Sequence, residues 1–227
     1  MTARLPLRAV AVAAAVGLAA LAGGCGEDGD SAGTASTTIP AGAAALLPPI
    51  DGSQPLPPDD VAALRRLYDP ALATMGLRLT RAQLIDLSKG SYTPSPTGTH
   101  LAMYVEPVGE YTDEQYVQGF WDLAALITPD VFARWSELQS YDICQEPMPS
   151  VNDDPEPFPI TQVNITREAA AAIDWQHGSL TDLVRAARTD SDVKLVVSRA
   201  IRQSPAYKAA IEATEPATAT TSTVTTP

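Results

Sequence analysis

The sequence predicts an α+β fold, a small antiparallel sheet of three to four strands packed against several helices in a single domain. Three observations lead there. Short runs in mid-chain alternate apolar and polar residues, as half-buried strands do. Longer segments before, between and after them carry apolar residues at helical spacing behind capping residues. No internal repeat is visible at a fixed period, so the elements belong to one globular unit rather than a repeat array.

The elements follow in order. Asp59-Asp60 caps a helix whose stripe is Val61, Leu64, Tyr68, Leu72 and Met75. Pro70 after Asp69 either kinks this helix or opens a second one. Residues 77–87 read as a strand and Ser91 to Gly98 as a turn. In Thr99 to Val105, Leu101, Met103 and Val105 share one face, opposite His100, Ala102 and Tyr104. Thr112-Asp113-Glu114-Gln115 is a capping box, opening a helix with Tyr116, Phe120, Leu123 and Ile127. Thr128-Pro129-Asp130 predicts a second helix start, with Phe132, Trp135 and Leu138 on its stripe. Tyr141 to Glu146 and Ile160 to Ile165 read as strands, separated by a proline-rich acidic loop. Thr166 caps an alanine-rich helix ending near Trp175, where His177-Gly178 breaks it. Ser179-Leu180-Thr181-Asp182 starts another helix. The last helices run from about Asp190, with Val193, Val196, Val197 and Ile201, and from Ser204-Pro205.

Composition divides the chain. Residues 1–24 read as a signal peptide and 25–58 as a disordered tether rich in Pro, Ser and Thr. Residues 59–214 form the acidic α+β domain, and 215–227 a disordered Thr-rich tail. A coil the length of the tether would hold the domain on the order of 30 Å from its start. The net charge is −12 over the 227 residues, and losing Arg4 and Arg8 with the signal takes it to −14. That balance offers no basic stripe for phosphates, so nucleic acid is excluded as a partner.

Arg4 and Arg8 precede the apolar run Ala9 to Ala22, and small residues then lead into Cys25. The order is that of a secretory signal peptide with a thiol at the cleavage point. In Leu21-Ala22-Gly23-Gly24-Cys25 the chain resembles bacterial lipoproteins, whose signals end in a lipobox; Ala22 stands where Leu is commonest. The resemblance covers residues 1–25. It implies lipidation of Cys25 by a diacylglyceryl group and a place at the extracytoplasmic face of the cell membrane. The expected function is binding or scaffolding in the cell envelope, partnered by the membrane through its anchor and by an envelope protein or a small apolar ligand. The alternatives are a carrier with an apolar cavity among Trp121, Phe132 or Trp135, and a hydrolase using carboxylates such as Glu106, Glu110 or Asp142.

The folded part carries no P-loop, G-x-S-x-G, G-x-G-x-x-G or H-E-x-x-H motif. No catalytic, metal or cofactor residue is therefore assigned. His100 and His177 are the only histidines. A helix C-terminal place suits His177, where a cation meets the dipole; His100 suits a solvent-facing or cross-strand one. Asp142, Cys144 and Glu146 share a strand face if Ile143 points to the core. Flanking carboxylates would then keep the thiol protonated. Asn152-Asp153-Asp154-Pro155-Glu156 has calcium-type ligands but lacks EF-hand spacing, so a solvated acidic loop is expected. Asn164-Ile165-Thr166 matches a glycosylation triplet, though capping is the simpler task for Thr166. Trp121, Trp135 and Trp175 are expected in the core.

Overall fold

The hydrophobic pattern resolves into a helical layer laid on one face of a six-stranded sheet. The structure is a computed structural model and describes residues 42–88, 92–147 and 159–212. These residues belong to one compact unit. The chain runs α1 (Val61–Leu72), β1 (Leu77–Asp86), β2 (Thr93–Pro94), β3 (His100–Pro107), α2 (Asp113–Arg134) and β4 (Ser140–Gln145). It continues through β5 (Thr161–Thr166), α3 (Arg167–Ala171), α4 (Leu180–Thr189), β6 (Val193–Val197), α5 (Arg199–Gln203) and α6 (Pro205–Glu212).

The α+β class holds, but the sheet has six strands rather than three to four, in the order β2-β1-β3-β4-β5-β6. It is also mixed rather than antiparallel. β3 and β4 pair in parallel because α2 carries the chain back across the sheet between them. The other neighbouring strands pair antiparallel.

Local chemistry sets most helix starts. Asp60 accepts from Ala62 N at 2.9 Å, opening α1. Thr112 and Gln115 form the reciprocal capping box of α2, and Thr166 accepts from Ala169 N to open α3. The Asp182 carboxylate reaches back to the N–H and hydroxyl of Ser179 at 2.9 and 2.8 Å, opening α4. Such caps are worth about 1 kcal/mol each.

Three expectations fail. Pro129 does not begin a helix, because α2 runs unbroken from Asp113 to Arg134. The Thr128 hydroxyl lies 2.6 Å from Tyr141 Oη in the core, where it cannot cap. Residues 193–197 are a strand, not a helix, their β-branched side chains pairing with β5. The helix opened by Thr166 stops at Ala171, well before Trp175. Pro70, in turn, sits inside α1 without dividing it.

A bulge between Leu79 and Arg81 shifts the register of β1 on β3, from Leu79 opposite Val105 to Arg81 opposite Tyr104. With Thr80 as the extra residue, Leu77, Leu79 and Leu84 all face the core. They join Leu101, Met103, Val105, Tyr141, Ile143, Val163 and Ile165, and the buried side chains of the helices complete the same cluster. Trp121 stacks on Trp175 at 5.6 Å, and Trp135 meets Tyr68 edge-on.

The body of the fold starts before residue 59. Ala43 is buried, and Arg134 donates to the carbonyls of Pro48 and Pro49 at 2.8 and 3.3 Å. Glu137 N donates to Pro55 O. Residues 42–58 thus form a strap along the domain, although they were expected to be tether. The rest of the tether, the signal segment with Cys25 and residues 213–227 lie outside the described residues. Among the described residues, no helix is long and apolar enough to cross a membrane.

On α2, Asp122 is half-buried, and its Oδ1 has no hydrogen-bond partner among the described residues. Burial pushes its carboxyl up to about 6. The folded chain therefore holds this proton more tightly than the unfolded chain does. Its contribution is most favourable below the ordinary carboxylate pKa and is lost as pH rises through about 6. Asp122→Asn is expected to stabilise the fold by about 1 kcal/mol at pH 7.5, after allowing for solvent screening, and to change little at pH 4. Thermal melts at the two pH values check this; an equal gain at both would rule out the ionisation account.

Candidate functional site

The sheet face turned away from the helices carries the densest chemistry among the described residues. Strand alternation places His100, Ala102, Tyr104 and Glu106 of β3 there, beside Ser140, Asp142 and Cys144 of β4. Parallel pairing sets His100 against Ser140 and Ala102 against Asp142. Glu146 follows directly on β4. The bulge in β1 adds Arg78 and Arg81 at the same surface.

His100 bridges β3 and β4. Its Nε2 lies 3.0 Å from Asp142 Oδ2 and its Nδ1 2.8 Å from Ser140 Oγ. With the Asp142 carboxylate as acceptor, Nε2 carries the proton, and Ser140 donates to Nδ1. The Cys144 thiol donates to the other Asp142 oxygen at 3.7 Å. Tyr92, itself exposed, stands edge-on to the imidazole. Of the two roles open to His100, the cross-strand one is realised and the solvent-facing one is not.

A second cluster lies further along the strands. Arg81 forms an ion pair with Glu146, and its guanidinium sits 4.1 Å over the Tyr104 ring. Thr80 donates to Tyr104 O at 2.9 Å and to Glu146 Oε2 at 3.3 Å. Arg78 pairs with Glu106 across β1 and β3. Burial raises the Tyr104 hydroxyl to about 12, helped by the nearby Asp142 charge.

Ile143 faces the core, so Asp142, Cys144 and Glu146 do share a face. The Cys144 thiol is free and is pushed far up, first by burial and then by the Asp142 and Glu146 charges. It is protonated at any physiological pH and is a weak nucleophile. Ser140, His100 and Asp142 supply the residue types of a hydrolytic triad, yet they are only 8, 1 and 2% exposed. The backbone N–H groups of Gln139 and Ser140 both donate to Thr99 O, which leaves neither to stabilise an oxyanion beside the hydroxyl. The arrangement ties β3 to β4 and fixes their register.

The hydrolase candidates are not gathered at one point. Glu106 lies four residues along β3 from the partner of Asp142, about 13 Å away, and Glu110 is exposed beyond the strand. His177 is not at a helix end but in the exposed turn after α3, where its Nδ1 is 3.2 Å from Asp174 Oδ2. That turn borders a groove of about 410 Å³ against α4, lined by Ile173, Asp174, His177, Asp182, Arg185 and Thr189. Arg185 is already paired with Asp182. No cluster of three or more metal-ligating side chains occurs among the described residues. Residues 152–156 lie outside them. Thr166 is the cap of α3, while Asn164 is half-exposed in β5.

Sequence reasoning missed Ser140, Arg81 and Tyr104. Ser140 stands two residues before Asp142 and so shares its face, a parity legible in advance. Its bond to His100 depends on the β3–β4 register, which is not.

Fold and site together define a two-layer α+β domain whose polar sheet face is closed by internal pairing. Compared with protein-family models, curated proteins and solved structures, the chain matches none.

Proposed function

We propose that the chain is an exported protein held by a lipid on Cys25 at the extracytoplasmic face of the cell membrane. Its folded domain binds or scaffolds envelope components rather than turning over a substrate. The observation that carries the anchor is the run from Ala9 to Ala22 behind Arg4 and Arg8, ending in Gly23-Gly24-Cys25. Two acyl chains on one cysteine give stable attachment where a single chain is reversible. Support for binding over catalysis comes from the sheet face, where the titratable groups engage one another and the thiol is protonated. A carrier has less support, because Trp121 and Trp135 fill the core and Phe132 packs against Tyr141.

Cys25→Ala tests the anchor. The variant is expected to leave the membrane fraction for the medium, or to remain as unprocessed precursor. A processed variant that partitions with membranes as the parent chain does would defeat the reading.

A further inference from the structure

The edge strand β6 pairs with β5 on one side and with no strand among the described residues on the other. Thr166 N donates to Asp192 O, and Ser198 N donates to Ile160 O. Even-numbered residues therefore turn their backbone groups to β5. By alternation, the N–H and C=O of Leu195 and Val197, with the C=O of Val193, point away from the sheet. Val193 N is taken by Asp190 O at 3.3 Å. Val196 is 44% exposed.

The charges around this strand are arranged by sign. Asp190 and Asp192 precede it, and Arg199 and Arg202 follow it. All four side chains are exposed, and none forms an ion pair among the described residues. Asp192 directly before the five strand residues and Arg199, one residue past Ser198, after them make a segment whose end charges complement those of its own reverse.

We propose that β6 is the interface of a symmetric dimer, in which β6 of a second copy adds antiparallel about a two-fold axis through Leu195. In that register Leu195 faces its own counterpart and exchanges N–H and C=O bonds with it, and Val197 N–H donates to Val193 C=O of the second copy. The Val197 C=O alone gains no partner, because Val193 N–H already donates to Asp190 O. Lys194 faces Val196 of the second copy, and its alkyl stem covers the exposed valine without meeting another lysine. Asp192 falls opposite Ser198 and one residue from Arg199 of the second copy, at both ends of the interface. A parallel pairing would set acid against acid and base against base. The two sheets become one of twelve strands, and each copy loses the open edge at β6. The interface does not depend on how Cys25 is modified.

Light scattering on the full chain in detergent, over a concentration series, tests the dimer. The parent chain is expected at twice the chain mass. Arg199→Glu and Asp192→Lys, each alone, are expected to raise the dissociation constant about tenfold or more. A one-to-one mixture of the two variants is expected to return to near-parent affinity, because each supplies the charge that the other has reversed. Circular dichroism identical to the parent confirms that the variants are folded. Should either variant fold poorly, Val196→Glu is the second probe: it sets a carboxylate opposite Lys194 and should tighten the dimer. A parent chain that is monomeric throughout overturns the proposal and leaves the edge to a different protein. So does a mixture no tighter than its components, or tightening absent in Val196→Glu.

Discussion

Asp142→Ala is expected to cost the fold about 2 to 5 kcal/mol, because two buried donors lose their acceptor at about 1 to 3 kcal/mol each. The loss follows from what remains behind. The His100 Nε2–H and the Cys144 thiol both lose their acceptor, and both are buried between β3 and β4. Neither can turn to water, so each bears a desolvation cost that no new bond offsets. Asp142→Asn keeps an acceptor oxygen near the ring and should cost less, on the order of 1 to 2 kcal/mol. Urea unfolding of the three chains with unchanged slope is the measurement. If alanine and asparagine cost the same, acceptance of a bond from His100 is not what Asp142 contributes.

Gly98→Ala should be at least as damaging, for a reason of space alone. A methyl group at Gly98 would collide with the backbone of Ile85, including its nitrogen at 2.7 Å. The obstruction is a strand of the sheet, not the movable end of a side chain. Ile85 is held between Pro94 of β2 and His100 of β3, so relief requires β1 to leave its register. Overpacking costs about 1 to 3 kcal/mol where neighbours can shift, and more where they cannot. A drop in melting temperature with loss of protection at Leu84 and Ile85 amides in hydrogen exchange would locate the damage. Retained protection there would show that the turn, not the strand, gave way.

What the sequence disclosed divides by distance along the chain. Thr112 with Gln115, Asp60 with Ala62, and Ser179 with Asp182 are bonds made within three residues, so the helices they open were legible. The alternation that set Asp142, Cys144 and Glu146 on one face was legible for the same reason. Residues 193–197 misled because Val193, Val196 and Val197 fit a helical stripe as well as a strand. Only pairing with Thr161–Ile165, some thirty residues earlier, decides between them. Thr128-Pro129 has the chemistry of a helix start, but the hydroxyl is claimed by Tyr141 from another element. The Ser140–His100 bond spans forty residues and needs a parallel register created by α2. Two residues of β2 inside an apparent turn gave no periodicity to read.

The strap formed by residues 42–58 also decides how the domain answers to force. A pull arriving along the chain from its N-terminus meets Arg134 at the carbonyls of Pro48 and Pro49, then Glu137 N at Pro55 O. Arg134 is braced by Asp130, which in turn accepts from the Tyr68 hydroxyl. These bonds would open in succession, as a zip does, before tension reached β1. Strand pairs, which resist best when sheared together along their length, would be spared. Under such a pull the strap would act as a mechanical fuse set ahead of the sheet.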